Sequence, residues 1–180
     1  MIGLICKSLI RPVSVIHGNN NSLRLKEMDP NSLLQELVFT QMPTNALVCD
    51  LDPIKPAAGK KLLARYSWFF ENGHPLASKQ CEGAIFLSHK NIEYLILIEM
   101  KSSAATLPKG RKQLVAGEAF AKYVEALLGR SIKVCTRLIY IGAPAPVVVL
   151  TGSFSFPKHK EIAVFCRSGR AYLSLSQLAE

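Results

Sequence analysis

The feature that most constrains the fold is a pair of apolar runs joined by a short polar tip: CEGAIFL at 81–87, SHKN, then IEYLILIEMK at 92–101. Two such runs a few residues apart read as an antiparallel hairpin. In the second run Tyr94, Ile96, Ile98 and Met100 alternate with Leu95 and Leu97, so both faces are apolar through the middle. A strand of that kind must be central in a sheet and covered on both sides. The hairpin therefore excludes a purely parallel, doubly wound sheet.

Around it the chain alternates helix and strand signals. Residues 1–16 read as a strand, and Asp29-Pro30 as an N-cap and first-turn proline opening a short helix through Leu33, Leu34, Leu37 and Val38. ALVCDLD (46–52) reads as extended, and KKLLARYSWFFEN (60–72) as an amphipathic helix whose aromatic residues pack in a core. After the hairpin, 102–112 reads as a basic loop, and Gln113–Leu128 as a helix stopped by Gly129. Apolar stretches at 132–142, 146–156, 161–167 and 171–175 read as strands. The expected class is α/β: one domain with a mixed sheet, in which the central hairpin is flanked by helices. Its core spans 56–142, with a strand-and-helix extension before it (1–55) and a β extension after it (143–180).

The informative polar residues interrupt the hairpin at its open end. Glu99 and Lys101, two apart on a strand, share a face. If Leu87 pairs with Ile92, Glu82 lies opposite Leu97 on that same face, and the two carboxylates and the ammonium converge. A one-residue slip would separate them. Two carboxylates at the end of a buried hairpin need compensation, and a hard divalent ion such as Mg²⁺, which Mn²⁺ can replace, supplies it through oxygen ligands. Lys109, Arg111, Lys112 and Gln113 follow closely and suit phosphate contacts. The plainer alternative is a solvated strand end making an ordinary ion pair.

This pattern resembles the PD-(D/E)xK nuclease superfamily: Glu82, a hydrophobic strand ending in Glu99-Met100-Lys101, then a helix opening at Gln113-Leu114. The resemblance implies a restriction-endonuclease-like αβββαβ core and Mg²⁺-dependent phosphodiester hydrolysis. It implies Glu82 and Glu99 as metal ligands and Lys101 and Gln113 as further catalytic residues. Two positions depart from the family pattern. Glu82 stands where Asp is usual, and the 60–72 helix offers only Glu71 at its far end, with Glu36 as a substitute from the earlier helix.

Charge points to the same partner. Of a formal net charge of +9, residues 1–99 contribute a surplus of one positive charge and residues 100–180 a surplus of eight. An uneven basic surface suits nucleic acid, DNA before RNA, and Lys158 and Lys160 beside Phe154 and Phe156 form a second candidate platform. By analogy with small nucleases, a homodimer or a helicase-type partner is expected. The alternative is a non-catalytic nucleic-acid-binding or regulatory module on the same fold. The five cysteines are scattered and form no zinc spacing, which fits free thiols in a reducing cytoplasm. No apolar stretch approaches bilayer length, so no membrane partner is expected. The histidines form no metal-binding motif, and Asp50 and Asp52 read as a strand end leading into a turn.

Overall fold

The computed structural model describes residues 22–27, 31–51, 81–144 and 156–179. The strand expected at 1–16, the helix expected at 60–72 with Glu71, and most of the strand expected at 146–156 lie outside the described residues.

The expected hairpin forms as β4 (Gly83–His89) and β5 (Ile92–Lys101). Its register differs from the expected one by two residues: Leu87 pairs with Tyr94, and His89 with Ile92. The cause is the tip. Lys90 and Asn91 alone form the loop, with φ of 50° and 64°, the two positive values a type I′ turn requires. Because the displacement is even, every side chain keeps its expected face. The turn residues are not those the geometry favours. Replacing Lys90-Asn91 by Asn-Gly should stabilise the protein by about 0.5–1 kcal/mol, read as an upward shift in thermal midpoint.

Five strands form one mixed sheet in the order β3-β4-β5-β6-β7, with β3 at Leu47–Asp50, β6 at Lys133–Ile141 and β7 at His159–Val164. Strands β3 to β5 are antiparallel and β5 to β7 parallel. A second, three-stranded sheet runs β1-β2-β8, from Leu23–Lys26, Glu36–Thr40 and Arg170–Ser174. Strands from both expected extensions are thus built into the two sheets.

The helix expected around 29–38 is corrected by the structure: 36–40 is β2, paired antiparallel with β1 and parallel with β8. Its leucines have helical spacing, but Leu37 and Phe39 enter the core while Leu33 stays exposed. Pairing on both edges outweighs that local preference.

Helix α1 (Leu107–Leu128) begins six residues before its expected start, so most of the expected basic loop is helix. Pro108 stands in its first turn, where a missing N–H costs nothing. Gly129, at φ 63°, caps the far end as expected. A short C-terminal helix, α2 (Leu175–Ala179), follows β8.

Three layers result. Leu25, Leu37, Phe39 and Leu173 of the small sheet meet Ile85, Ile96, Ile98 and Ile139 of the large one. On its other face Ala84, Phe86, Leu95 and Leu97 meet Leu114, Ala121 and Val124 of α1. The central hairpin is covered on both sides, as its sequence requires. Cys49, Cys81 and Cys135 are buried cysteines outside any disulfide among the described residues, and Cys166 is half-buried.

Candidate active site at the end of the central hairpin

Leu95, Leu97, Glu99 and Lys101 alternate onto the face of β5 that α1 covers. The apolar pair packs under the middle of the helix, and the charged pair emerges beneath its first turns. Gly110 lets that happen. A Cβ built on it would lie 2.5 Å from Leu138 Cδ1 and 3.3 Å from the Lys101 side chain, so any larger residue would displace Leu138 and crowd the lysine stem.

Glu82 immediately precedes β4 and joins the same cluster. Its backbone N–H donates to Glu99 Oε2 at 3.2 Å. Lys101 Nζ donates to Glu99 Oε1, lies 4.0 Å from Glu82 Oε1, and donates to the Met100 carbonyl at 3.0 Å. Glu99 is fully buried, and the side chains of Glu82 and Lys101 are 8% and 11% exposed. This is not the solvated ion pair of the plainer alternative. The ammonium is held between two carboxylates, and with both of them ionised the cluster carries one surplus negative charge.

Burial pushes the Glu99 carboxyl up to about 7, against the opposing pull of Lys101 and the Glu82 N–H. Glu27, just after β1, raises it further through its own negative charge. Sequence reading missed Glu27, and no local signal marks it, because the packing of one sheet on the other brings it near.

The other expected site residues divide into two groups. Lys109, Arg111, Lys112 and Gln113 lie on the first turns of α1, on either side of Gly110. Lys109 and Lys112 are exposed and Gln113 is half-buried. Arg111 Nε donates to Glu161 Oε1 on β7 at 2.7 Å, spending its charge on an ion pair. Lys158 and Lys160 do not join the site. Lys160 pairs with Arg137 and so with Ile98, on the opposite face from Glu99, and its Nζ donates to the Gln177 carbonyl at 2.9 Å. Lys158 lies in the bend just before β7, where its carbonyl accepts from the Thr136 N–H at 2.7 Å. A single apolar spacing cannot reveal which face a strand turns towards a helix far away in sequence.

Glu36 does not serve the site either. It lies on the face of β2 opposite to Leu37 and forms ion pairs with Arg24 and Arg170. Among the histidines, the exposed His159 is a partner of Thr136, with Nδ1 2.8 Å from Oγ1.

Glu82 and Glu99 are oxygen donors of the kind a hard divalent ion takes, and a carboxylate oxygen of each lies within 4.0 Å of Lys101 Nζ. Among the described residues no group of three or more His, Cys, Asp or Glu side chains is placed to hold a metal. The protein would therefore contribute two carboxylates, with water and substrate oxygens completing the shell. Lys101 would have to give up part of its contact with Glu99. No helix among the described residues is long and apolar enough to cross a membrane. Comparison with protein-family models, curated proteins and solved structures finds no match.

Proposed function

We propose that this protein is a Mg²⁺-dependent nuclease, with Mn²⁺ able to replace Mg²⁺, that hydrolyses phosphodiester bonds in nucleic acid, DNA before RNA. The observation that carries the reading is the joining of Glu82, Glu99 and Lys101, from adjoining extended segments, into one buried cluster with a surplus negative charge. Support also comes from the order β3-β4-β5-α1-β6, which supplies the three strands, helix and strand of a PD-(D/E)xK core.

When bound, the ion would polarise the scissile phosphate and lower the pKa of an attacking water. Glu82 and Glu99 would hold it. Lys101, freed in part from Glu99, would position that water and offset charge developing on the phosphate oxygens. Lys109 and Lys112 on the first turns of α1 would meet the flanking backbone.

A second reading is a nucleic-acid-binding module without catalysis, favoured by the complete burial of Glu99 and its neutralisation by Lys101. One assay separates the two. Purified protein is incubated with plasmid DNA, single-stranded DNA and RNA, with Mg²⁺, with Mn²⁺ or with chelator. Cleavage should need the metal and fall on the order of a hundredfold in Glu82→Gln and Glu99→Gln. Salt-sensitive binding without any cleavage selects the second reading.

A further inference from the structure

The outer face of the three-stranded sheet carries a second charged surface. Leu25, Leu37, Ala171 and Leu173 of β1, β2 and β8 enter the core, so their neighbours along each strand turn outward. The register sets those neighbours in two rows, Lys26–Glu36–Arg170 and Arg24–Val38–Tyr172. A tight turn leads into β8: Ser168 and Gly169 have φ of 51° and 77°, and Arg167 and Arg170 exchange N–H to carbonyl bonds of 2.9 and 3.0 Å. Residues directly opposite across an antiparallel pair share a face, so Arg167 joins Arg170 on the outer side. The Gly169 carbonyl accepts from the Gln35 and Glu36 N–H groups at 2.7 and 2.9 Å, which fixes the turn to the start of β2.

Four cations share this face with one carboxylate. Glu36 lies between Arg24 and Arg170, with its side chain 10% exposed, and takes one guanidinium nitrogen from each. It orients both arginines and cancels a single charge. Lys26 and Arg167 are exposed and form no ion pair among the described residues. The surplus is three positive charges. Glu27, next to Lys26 in the chain, turns the other way and acts on Glu99, and counting it would still leave a surplus of two. Tyr172 stands among these cations with 59% of its surface exposed, two residues from Arg170 and about 10 Å across the sheet from Arg24.

An aromatic ring left in water on a sheet face and surrounded by cations combines the two parts that hold a single strand: a platform on which a base stacks, and charges for the phosphates on either side of it. A duplex would satisfy the charges alone, because its bases are already stacked and paired.

We propose that the outer face of β1-β2-β8 binds single-stranded nucleic acid, with a base stacked on Tyr172 and the flanking phosphates met by Arg24, Lys26, Arg167 and Arg170. Both sheets lie between this surface and the face of β5 that carries Glu99. The proposal does not depend on the hydrolytic reading, and it is tested without metal.

Full-length protein in chelator and low salt is titrated with a labelled twelve-nucleotide oligo-dT and with a labelled twelve-base-pair duplex, both followed by anisotropy. The wild type should bind oligo-dT at least fivefold more tightly than the duplex. Tyr172→Ala should weaken oligo-dT binding about tenfold, the size of one lost base stack, and Tyr172→Phe, which keeps the ring, by less than about threefold. Lys26→Gln and Arg167→Gln should each flatten the dependence of log affinity on log salt by about 0.7, one phosphate contact on a single strand. Thermal midpoints check folding, and the two charge variants, which remove no ion pair, supply the reading if Tyr172→Ala unfolds. No binding of oligo-dT by the wild type, equal binding of the duplex, or a loss in Tyr172→Phe as large as in Tyr172→Ala overturns the proposal. Metal-dependent cleavage by the wild type together with unchanged oligo-dT binding in the variants overturns it and leaves the hydrolytic reading standing.

Discussion

Lys101→Met should destabilise the protein by about 3–5 kcal/mol at pH 8 and by much less at pH 5, as read from urea unfolding at the two pH values. The cluster explains both the size and the pH dependence. Removing one partner of a buried ion pair leaves an uncompensated charge, and here Glu99 is fully buried with Glu82 beside it. The sign follows from Glu99. Its carboxyl is raised from 4.5 to about 7 in the folded protein, so its contribution to stability is intact below about 4.5 and is lost as pH rises through 7. A shift of that size corresponds to a loss on the order of 3 kcal/mol. Lysine opposes the rise, so its removal drives the carboxyl higher still and widens the penalty at pH 8. At pH 5 Glu99 takes up a proton and the missing ammonium matters little. A second substitution, Glu99→Gln, should restore most of the stability lost at pH 8, because the two residues act as a unit. Equal losses at both pH values would show that Lys101 supports the fold through its stem against Gly110 rather than through its charge.

Arg137→Met should cost roughly 3 kcal/mol or more and release the C-terminal helix. Arg137 is fully buried on β6, on the face towards the smaller sheet, and no described carboxylate pairs with it. Two of its three nitrogens reach carbonyls: Nε donates to Leu178 at 2.5 Å, and Nη1 to Thr136 at 2.7 Å and to Pro157 at 2.9 Å, while Nη2 makes no hydrogen bond among the described residues. Burial lowers its pKa to about 10, so it remains charged through the physiological range. Methionine fills similar volume and leaves three carbonyls short of a donor, each worth about 1–3 kcal/mol when buried. Leu178 and Ala179 are themselves fully buried, so amide exchange over residues 175–179 should accelerate far more than exchange in β5. Unchanged protection there would show that the helix is held by its apolar contacts alone.

Arg137 also shows where sequence reading stops. In the string IKVCTRLIYIG it looks like any polar interruption of a strand, and its role depends on a helix that closes over it from the end of the chain. Glu27 is legible only once two sheets are stacked, and the face that Lys160 shares with Ile98 is known only from the parallel register of β5, β6 and β7. The apparent helix at 29–38 fails for a related reason. Its leucine spacing satisfies a helix, while hydrogen-bonding partners on both edges come from β1 and from β8, far along the chain.

The sequence alone determined the central hairpin, its coverage on both faces, the glycine stop of the long helix and the meeting of Glu82, Glu99 and Lys101 on one side of the sheet. These rest on local alternation, which survives a two-residue change of register because strand side chains repeat every second residue. Only the tertiary structure decided the second sheet, the full burial of Glu99, the capture of Lys101 between two carboxylates and the separation of the C-terminal lysines from them. Those depend on contacts between segments remote in sequence, where the free energy of burial and strand pairing outweighs the preferences of any short stretch.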